Sequence, residues 1–379
     1  MSREAAPRRR RAPLLLALVA LASARPAVDL RPFERDVLPR WLDRFTIDWQ
    51  KGEFRYEPNA TAPSLYGLID VVHVLASTGL IDTVDDDLRD AWALTLAGFQ
   101  SPSGFYDDGT NNTPGWQPWH GAASATAALA LLQRRPRRPV VYCEALARRG
   151  LEAWKAEYDP LLTSACPSNK TNGTNNIHEC GQRIGACPAV LGYDDDNATA
   201  SRGARSAEAV SAFLTWWRSW LLTNTDPELG VLCPSSNTAA ERMQCVGGAM
   251  PTHGILLGFD ADARLPYPER LVDFALSLQS SAGAWSDTAP DALGSLTLDG
   301  VFQVTRGAAE ALSRRDDARA SCERLLDLTA AKVNRWDGFA FANTSHQLPS
   351  IVAAAGECAR AFPDLLRTDR PWTCCARYV

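Results

Sequence analysis

Apolar residues recur every three or four positions in segment after segment of this chain, and the segments are of two kinds. In the first kind one face is apolar and the other charged, the mark of a helix that covers a core from outside. In the second, nearly every position is apolar or small, and the few polar residues stand in register. Pro63 to His73, PSLYGLIDVVH, is the clearest case, because a helix stacks Tyr66, Asp70 and His73 at i, i+4 and i+7 on one face. The frame returns in His120-Gly121 with Ser124, in Asp299-Gly300 with Gln303 and Arg306, and in His346 with Ser350. A polar stripe on an otherwise buried helix must face something polar, so these segments read as inner staves around a polar lumen.

The two kinds alternate. Leu30 to Trp49 precedes Pro63 to Ser77, which Gly79 stops; Leu88 to Phe99 precedes Trp119 to Leu132; and Val140 to Tyr158 precedes His178 to Gly192. Ser206 to Leu222 precedes GGAMPTHGILLGFDADA, Tyr267 to Leu278 precedes Leu298 to Leu312, and Ala318 to Val333 precedes His346 to Phe362. Six repeats with a period near fifty residues predict an all-α fold, an (α/α)6 toroid of six helical hairpins in a single domain spanning 25–379. An open superhelix of the same hairpins competes with it, but closure leaves no apolar edge exposed. Gly67, Gly121 and Gly300 near the starts of inner helices are expected to admit close backbone approach. No segment alternates with the period of two that a strand needs.

The N-terminus changes the setting. Arg8 to Arg11 are basic, Leu14 to Leu21 apolar and Ala22-Ser23-Ala24 small, which together read as a secretory signal peptide over 1–24. All ten cysteines lie beyond it, from Cys143 to Cys375, and an even number on the secretory route favours disulfides. A local staple is expected among Cys166, Cys180 and Cys187, around an insertion at about 159–180, and Cys374 and Cys375 are expected to clamp the C-terminal tail onto the body. Glycosylation acceptors stand at Asn59, Asn111, Asn169, Asn172, Asn197 and Asn343. The expected location is the secretory lumen or the exterior. A net charge of −5, with no basic stripe beyond the N-terminus and the run from Arg134 to Arg138, argues against a nucleic-acid partner. No later apolar run is long enough for a membrane span.

FQSPSGFYDD followed by PWHGAASATAALALL resembles the repeat of the terpenoid cyclases and protein prenyltransferases, SLQSSAGAW is similar to the glutamine-tryptophan motif of that group, and WQKGEFRY and VNRWDGFAF are looser copies. The resemblance covers nearly all of the chain after the signal segment and implies an α/α toroid. The group's catalytic signatures are not matched: Asp85-Asp86-Asp87 and Asp194-Asp195-Asp196 are unbroken runs rather than Asp-x-Asp-Asp, and there is no Asp-x-Cys zinc pair and no Gly-Cys-Gly-Glu-Gln thioester segment. Secreted cobalamin carriers, and sugar-degrading lyases, hydrolases and epimerases, use similar toroids.

All five histidines fall on or at the starts of the inner segments. If those starts share one mouth, His120, Asp299, His346, Tyr66 and Asp70 form a candidate catalytic set. His73, Trp119, His178, Arg183, His253, Gln303 and Arg306 are then candidates for binding, with Glu179 beside them. Histidine and tyrosine transfer protons near neutral pH, a carboxylate orients an imidazole, and arginine or a helix N-terminus neutralises an anion. That chemistry fits elimination or epimerisation at a uronic acid, whereas glycoside hydrolysis would use Asp70 facing Asp299. Trp116, Trp119, Trp285 and Trp336 are candidate stacking platforms. No metal-ligand spacing such as H-x-x-x-H occurs, so neither metal nor cofactor is expected. The leading expectation is a carbohydrate-active enzyme on an acidic glycan; the alternatives are a non-catalytic toroid holding a small ligand or a partner, and an isoprenoid transferase or cyclase.

Overall fold

The computed structural model describes residues 26–107, 118–162, 177–198, 204–233, 238–259, 262–336, 341 and 343–374. The expected signal peptide, Cys166, Cys375, Trp116 and the acceptors Asn111, Asn169 and Asn172 lie outside the described residues, as do the side chains of Asp194 to Asp196 and Asn197. Asn59 and Asn343 are exposed.

The described chain is predominantly helical, with thirteen α-helices. They are α1 Leu38–Phe45, α2 Leu65–Ser77, α3 Asp86–Gly98, α4 Trp119–Leu131, α5 Val141–Arg149, α6 Leu151–Tyr158 and α7 Ile177–Ala198, followed by α8 Ala204–Asn224, α9 Ala239–Phe259, α10 Pro268–Leu278, α11 Ser295–Glu310, α12 Arg315–Val333 and α13 Gln347–Ala361. Local chemistry explains several starts. Ser64 caps α2 by accepting from Gly67 N at 3.0 Å, and Asp85 caps α3 through Leu88 N at 2.9 Å. Thr238 and Glu241 satisfy each other's backbone N–H groups at the start of α9, a capping box.

The second kind of segment forms the interior. Every residue of α2 except Ala76 is buried, and α4, α11 and α13 are buried along most of their length. Helix α2 packs on α4, α4 on α7, α7 on α9, α9 on α11, α11 on α13 and α13 on α2. The amphipathic helices back them: α3 lies against α2 and α4, α8 against α7, α10 against α11, and α12 against both α11 and α13.

The glutamine turns tie one repeat to the next. After α3, the Gln100 amide donates to Gly104 O at 3.0 Å and to Arg138 O at 2.7 Å, and accepts from Arg138 N at 2.9 Å, just ahead of α5. After α10, Gln279 Nε2 donates to Gly283 O at 2.9 Å and to Ser321 O on α12 at 3.2 Å. Gly104 and Gly283 sit at φ +88° and +107°, and a Cβ at either would fall within 2.6 Å of the backbone of the next repeat, so the position requires glycine. One amide thus closes its own turn and docks the following outer helix.

Some boundaries differ from the pattern. The first segment is a π-helical turn, Phe33–Val37, then α1, which ends at Phe45 because Thr46–Asp48 (β2) pairs antiparallel with Glu53–Phe54 (β3). Val28–Asp29 (β1) pairs parallel with Leu366–Arg367 (β4). Val140 to Tyr158 is two helices broken at Gly150, whose φ is +82°. The fourth and fifth inner helices begin earlier than expected, at Ala239 and Ser295. Gly67 and Gly300 are tightly packed, a Cβ falling 2.5 Å from Phe54 O and 2.3 Å from the Trp285 ring, whereas at Gly121 the nearest atom would be 3.6 Å away.

Cys187 bonds to Cys143 on α5 instead of stapling the insertion, and Cys180 is also disulfide-bonded. Cys233–Cys245 and Cys322–Cys358 are the other described bridges, the last joining α12 to α13. Packing, hydrogen bonds and the Arg35–Asp369 ion pair help to hold the described part of the tail. Trp372 meets Phe33 edge-on at 5.8 Å and donates to Glu34 at 2.8 Å, and Thr373 N donates to Ser77 O at 3.0 Å. No described helix is long and apolar enough to cross a membrane.

Candidate functional site

A cavity of about 340 Å³ opens where the polar stripes meet. Helix α2 supplies Tyr66, Asp70 and His73, α4 supplies His120 and Ser124, and α7 supplies His178, Glu179 and Gln182. Gln244 comes from α9, Asp287 from the α10–α11 connection, Ser295 and Asp299 from α11, and His346 and Ser350 from the start of α13, with Ile69, Met250, Leu296 and Leu298 among the apolar wall. Of the expected catalytic set all five members line this one space, and of the expected binding set His73 and His178 do.

Two hydrogen-bonded pairs dominate the geometry. Tyr66 Oη and His120 Nδ1 lie 2.6 Å apart with their rings stacked at 5.6 Å, and His120 Nε2 is 3.5 Å from Ser124 Oγ. Burial, aided by the charges of His346, His178 and His73, holds the His120 imidazole well below its ordinary value of 6.5, so the ring is neutral at pH 7. A neutral ring with its proton on Nε2 accepts the Tyr66 hydroxyl proton at Nδ1. In the second pair His346 Nδ1 donates to Asp70 Oδ1 at 3.0 Å, and Ser345 Oγ donates to Asp70 Oδ2 at 2.6 Å. Burial disfavours the charge on His346, but the Asp70 carboxylate outweighs it and the imidazole titrates above 6.5. The pairs adjoin: the His346 ring meets Tyr66 edge-on at 5.1 Å and His120 at 6.1 Å.

Burial tunes two further lining groups, His73 and Asp299. His73 is pushed down to about 3 by desolvation, with His346 adding to it. Asp299, 4% exposed, is raised well above 3.8 by desolvation alone and is therefore neutral across a range in which ordinary carboxyls are charged. Its Oδ2 has no hydrogen-bond partner. His178 Nε2 lies 3.0 Å from Gln182 Nε2.

Five expected binding residues lie outside the lining. His253 Nδ1 donates to Gln303 Oε1 at 2.8 Å in a fully buried pair, and burial lowers the imidazole to about 4 against the opposing effect of that bond. Arg183 pairs with Glu157 at 2.8 Å and covers Trp119, its charge 5.6 Å from the ring centre, while Trp119 meets Phe105 and Tyr142 edge-on. Arg306 pairs with Glu357 at 2.7 Å. Neither arginine is at the cavity, so the expected neutralisation of an anion by arginine has no counterpart there. Trp285 is buried and donates to Ala275 O at 2.7 Å, which makes it a packing residue under Gly300. Trp336 packs against the core.

Sequence reasoning missed Gln182, Gln244, Asp287 and Ser295 in the lining, Ser345 beside it, and Glu357 farther along α13. Gln182 follows His178 at i+4, so the same stripe rule would have found it. Glu357 is the lone carboxylate of an apolar inner helix, a signal of its own: it is fully buried, accepts from Thr305, Arg306 and Arg360, and is held below 4.5 because those arginines outweigh its burial. Among the described residues no group of three or more His, Cys, Asp and Glu is placed to hold a metal ion. Compared with known proteins, the chain matches no family model, no curated protein and no solved structure.

Proposed function

We propose that the helix pairs close into an (α/α)6 toroid and that the cavity is the active site of a secretory-pathway enzyme that moves protons on a uronate-bearing carbohydrate, as a lyase or a C5-epimerase. The cyclic order of contacts among the six interior helices supports closure, and the disulfides fit an oxidising compartment. The observation that carries the chemistry is the Tyr66–His120 hydrogen bond standing edge-on to the Asp70–His346 pair within one cavity.

Tyr66 takes the proton from C5, next to the ligand's carboxylate, while its own proton moves to His120 Nδ1. In the lyase the C5–H electron pair becomes the new C4=C5 double bond, the C4–O4 pair leaves on O4, and His346 protonates O4. In the epimerase no bond to oxygen breaks and His346 returns a proton to the other face of C5. His120 and His73 are both depressed at rest by burial and by the neighbouring imidazole, and an anion bound beside them raises their basicity, which favours an anionic ligand.

Hydrolysis is served less well, because Asp70, the expected partner of Asp299, already has both oxygens engaged by Ser345 and His346. An isoprenoid would meet imidazoles, amides and carboxyls rather than an aromatic wall. Incubation with glucuronate-, galacturonate- and mannuronate-containing polymers, following ultraviolet absorbance of the unsaturated ends and uptake of solvent deuterium at C5, tests the proposal. Turnover that falls by about 10²-fold or more in Tyr66→Phe is expected. No absorbance and no deuterium with any uronate polymer overturns it.

A further inference from the structure

Asp299 stands apart from the other carboxyls of the cavity. Asp70 is held by Ser345 and His346, and Asp287 accepts from Gln244 at 3.3 Å, whereas Asp299 lines the cavity with its Oδ2 buried and without a partner. No arginine or lysine is among the described residues that line the space. A carboxyl in this position has one use for an anionic ligand, since ionised it repels the anion and neutral it donates a hydrogen bond to it.

We propose that Asp299, as a neutral carboxylic acid, is the specificity-determining residue that donates its O–H to the carboxylate of a uronate bound in the cavity. The inference rests on the reading of the cavity as a uronate site. The bond is of the short O–H···O⁻ kind, roughly twice as strong as one between neutral groups. Burial is what keeps the proton on Asp299, so the recognition survives in the absence of a cation. Asp299 also comes from a helix other than those carrying the Tyr66–His120 pair, which lets the ligand's carboxylate be held from one wall while C5 is reached from another.

The titratable groups sharing the space are Tyr66, Asp70 and His73 of α2, His120 of α4, and His178 and Glu179 of α7. Asp287 of the α10–α11 connection and His346 before α13 complete the set. The lining residues of α9 carry no titratable group, and α10 and α12, which also pack on α11, contribute no lining residue. These groups are common to wild type and variants, so a difference in pH dependence between Asp299→Asn and wild type belongs to Asp299.

The test is calorimetric titration of the full chain with methyl β-D-glucuronide and with its neutral counterpart, methyl β-D-glucoside. The wild type is expected to prefer the glucuronide by about tenfold near neutral pH, with the preference shrinking as the pH rises and Asp299 ionises. Asp299→Asn keeps a donor and no charge, so it retains the preference and loses that part of the pH dependence. Asp299→Ala loses the tenfold preference near neutral pH and with it the decline of that preference at higher pH, and the amide variant carries the test if the alanine one fails to fold. Equal binding of the two glycosides, binding of neither, a preference unchanged in Asp299→Ala, or identical pH dependence in Asp299→Asn and wild type each overturn the inference. Glycoside binding as expected without turnover of any uronate polymer leaves this inference standing and removes the catalytic reading. Turnover of neutral glycans that Asp299→Asn abolishes makes Asp299 a general acid and overturns it.

Discussion

Replacing Asp70 by Asn tests the electrostatics of the site with the least change of shape. Asp70 is 2% exposed and accepts two hydrogen bonds, from Ser345 Oγ at 2.6 Å and His346 Nδ1 at 3.0 Å. A bond to a charged acceptor contributes about 1.5–3 kcal/mol and a neutral one about 0.5–1.5 kcal/mol, so two such bonds losing their charge cost about 2–3 kcal/mol. The sign of the pH dependence should also reverse. In the wild type His346 titrates above its unfolded value of about 6.5, so its contribution to stability is fully present below that value and is lost as the pH rises through the folded pKa. Without the carboxylate only burial acts, the folded pKa drops below the unfolded one, and His346 then costs stability as the pH falls. Urea unfolding at a series of pH values measures both effects. For a chain this long m exceeds about 3 kcal/mol/M, so the midpoint drops by somewhat less than about 1 M. The His346 ring proton shifts, followed by NMR, report the titration directly. An Asp70→Asn protein as stable as wild type, with the His346 titration unmoved, would refute the view that this carboxylate sets the charge of the site.

The remaining predictions concern packing and the second buried carboxylate. Gly300→Ala puts a methyl 2.3 Å from the Trp285 ring and should cost about 1–3 kcal/mol in thermal or urea unfolding, whereas Gly121→Ala, with 3.6 Å to its nearest neighbour, should be neutral or stabilising by a few tenths. Equal effects at the two positions would contradict the geometry. Glu357→Ala strands Arg306, Arg360 and the Thr305 hydroxyl and should cost about 3–5 kcal/mol by the same measurement. Because Glu357 titrates below 4.5 when folded, its contribution is present above the unfolded value and lost as the pH falls through the folded one; the variant should lose less stability than wild type on acidification.

The interior helices were legible because a polar residue is rare on a helix that is otherwise apolar, and a repeat of such residues at helical spacing is rarer. Tyr66, Asp70 and His73 were read as one face of one helix, and they line one wall. The partners were not legible. Nothing near Arg183 or Arg306 in the sequence marks Glu157 or Glu357 as the group that neutralises it, because those pairs join residues 26 and 51 positions apart through packing. The ends of helices were also blurred where a local device decides them: the Thr238–Glu241 capping box starts α9 a full two turns before its apolar stretch, and Gly150 cuts one expected helix into two.

The glutamine turns and the cavity are specified by different groups. Gln100 and Gln279 act on backbone carbonyls, their own turn's and that of the next repeat, and Gly104 and Gly283 leave room for that backbone. Apart from the Arg324 guanidinium that donates to Gln279 Oε1, the device reads backbone, so it can recur wherever such hairpins stack and says nothing about what the cavity binds. The cavity depends instead on single side chains, Tyr66 and Asp70 of α2 set against His120 of α4 and His346 before α13. Scaffold and chemistry are thus encoded by separate residues. That is why the helical hairpins can be read from repeated turns while the chemistry of the cavity has to be read from pairs that only folding brings together.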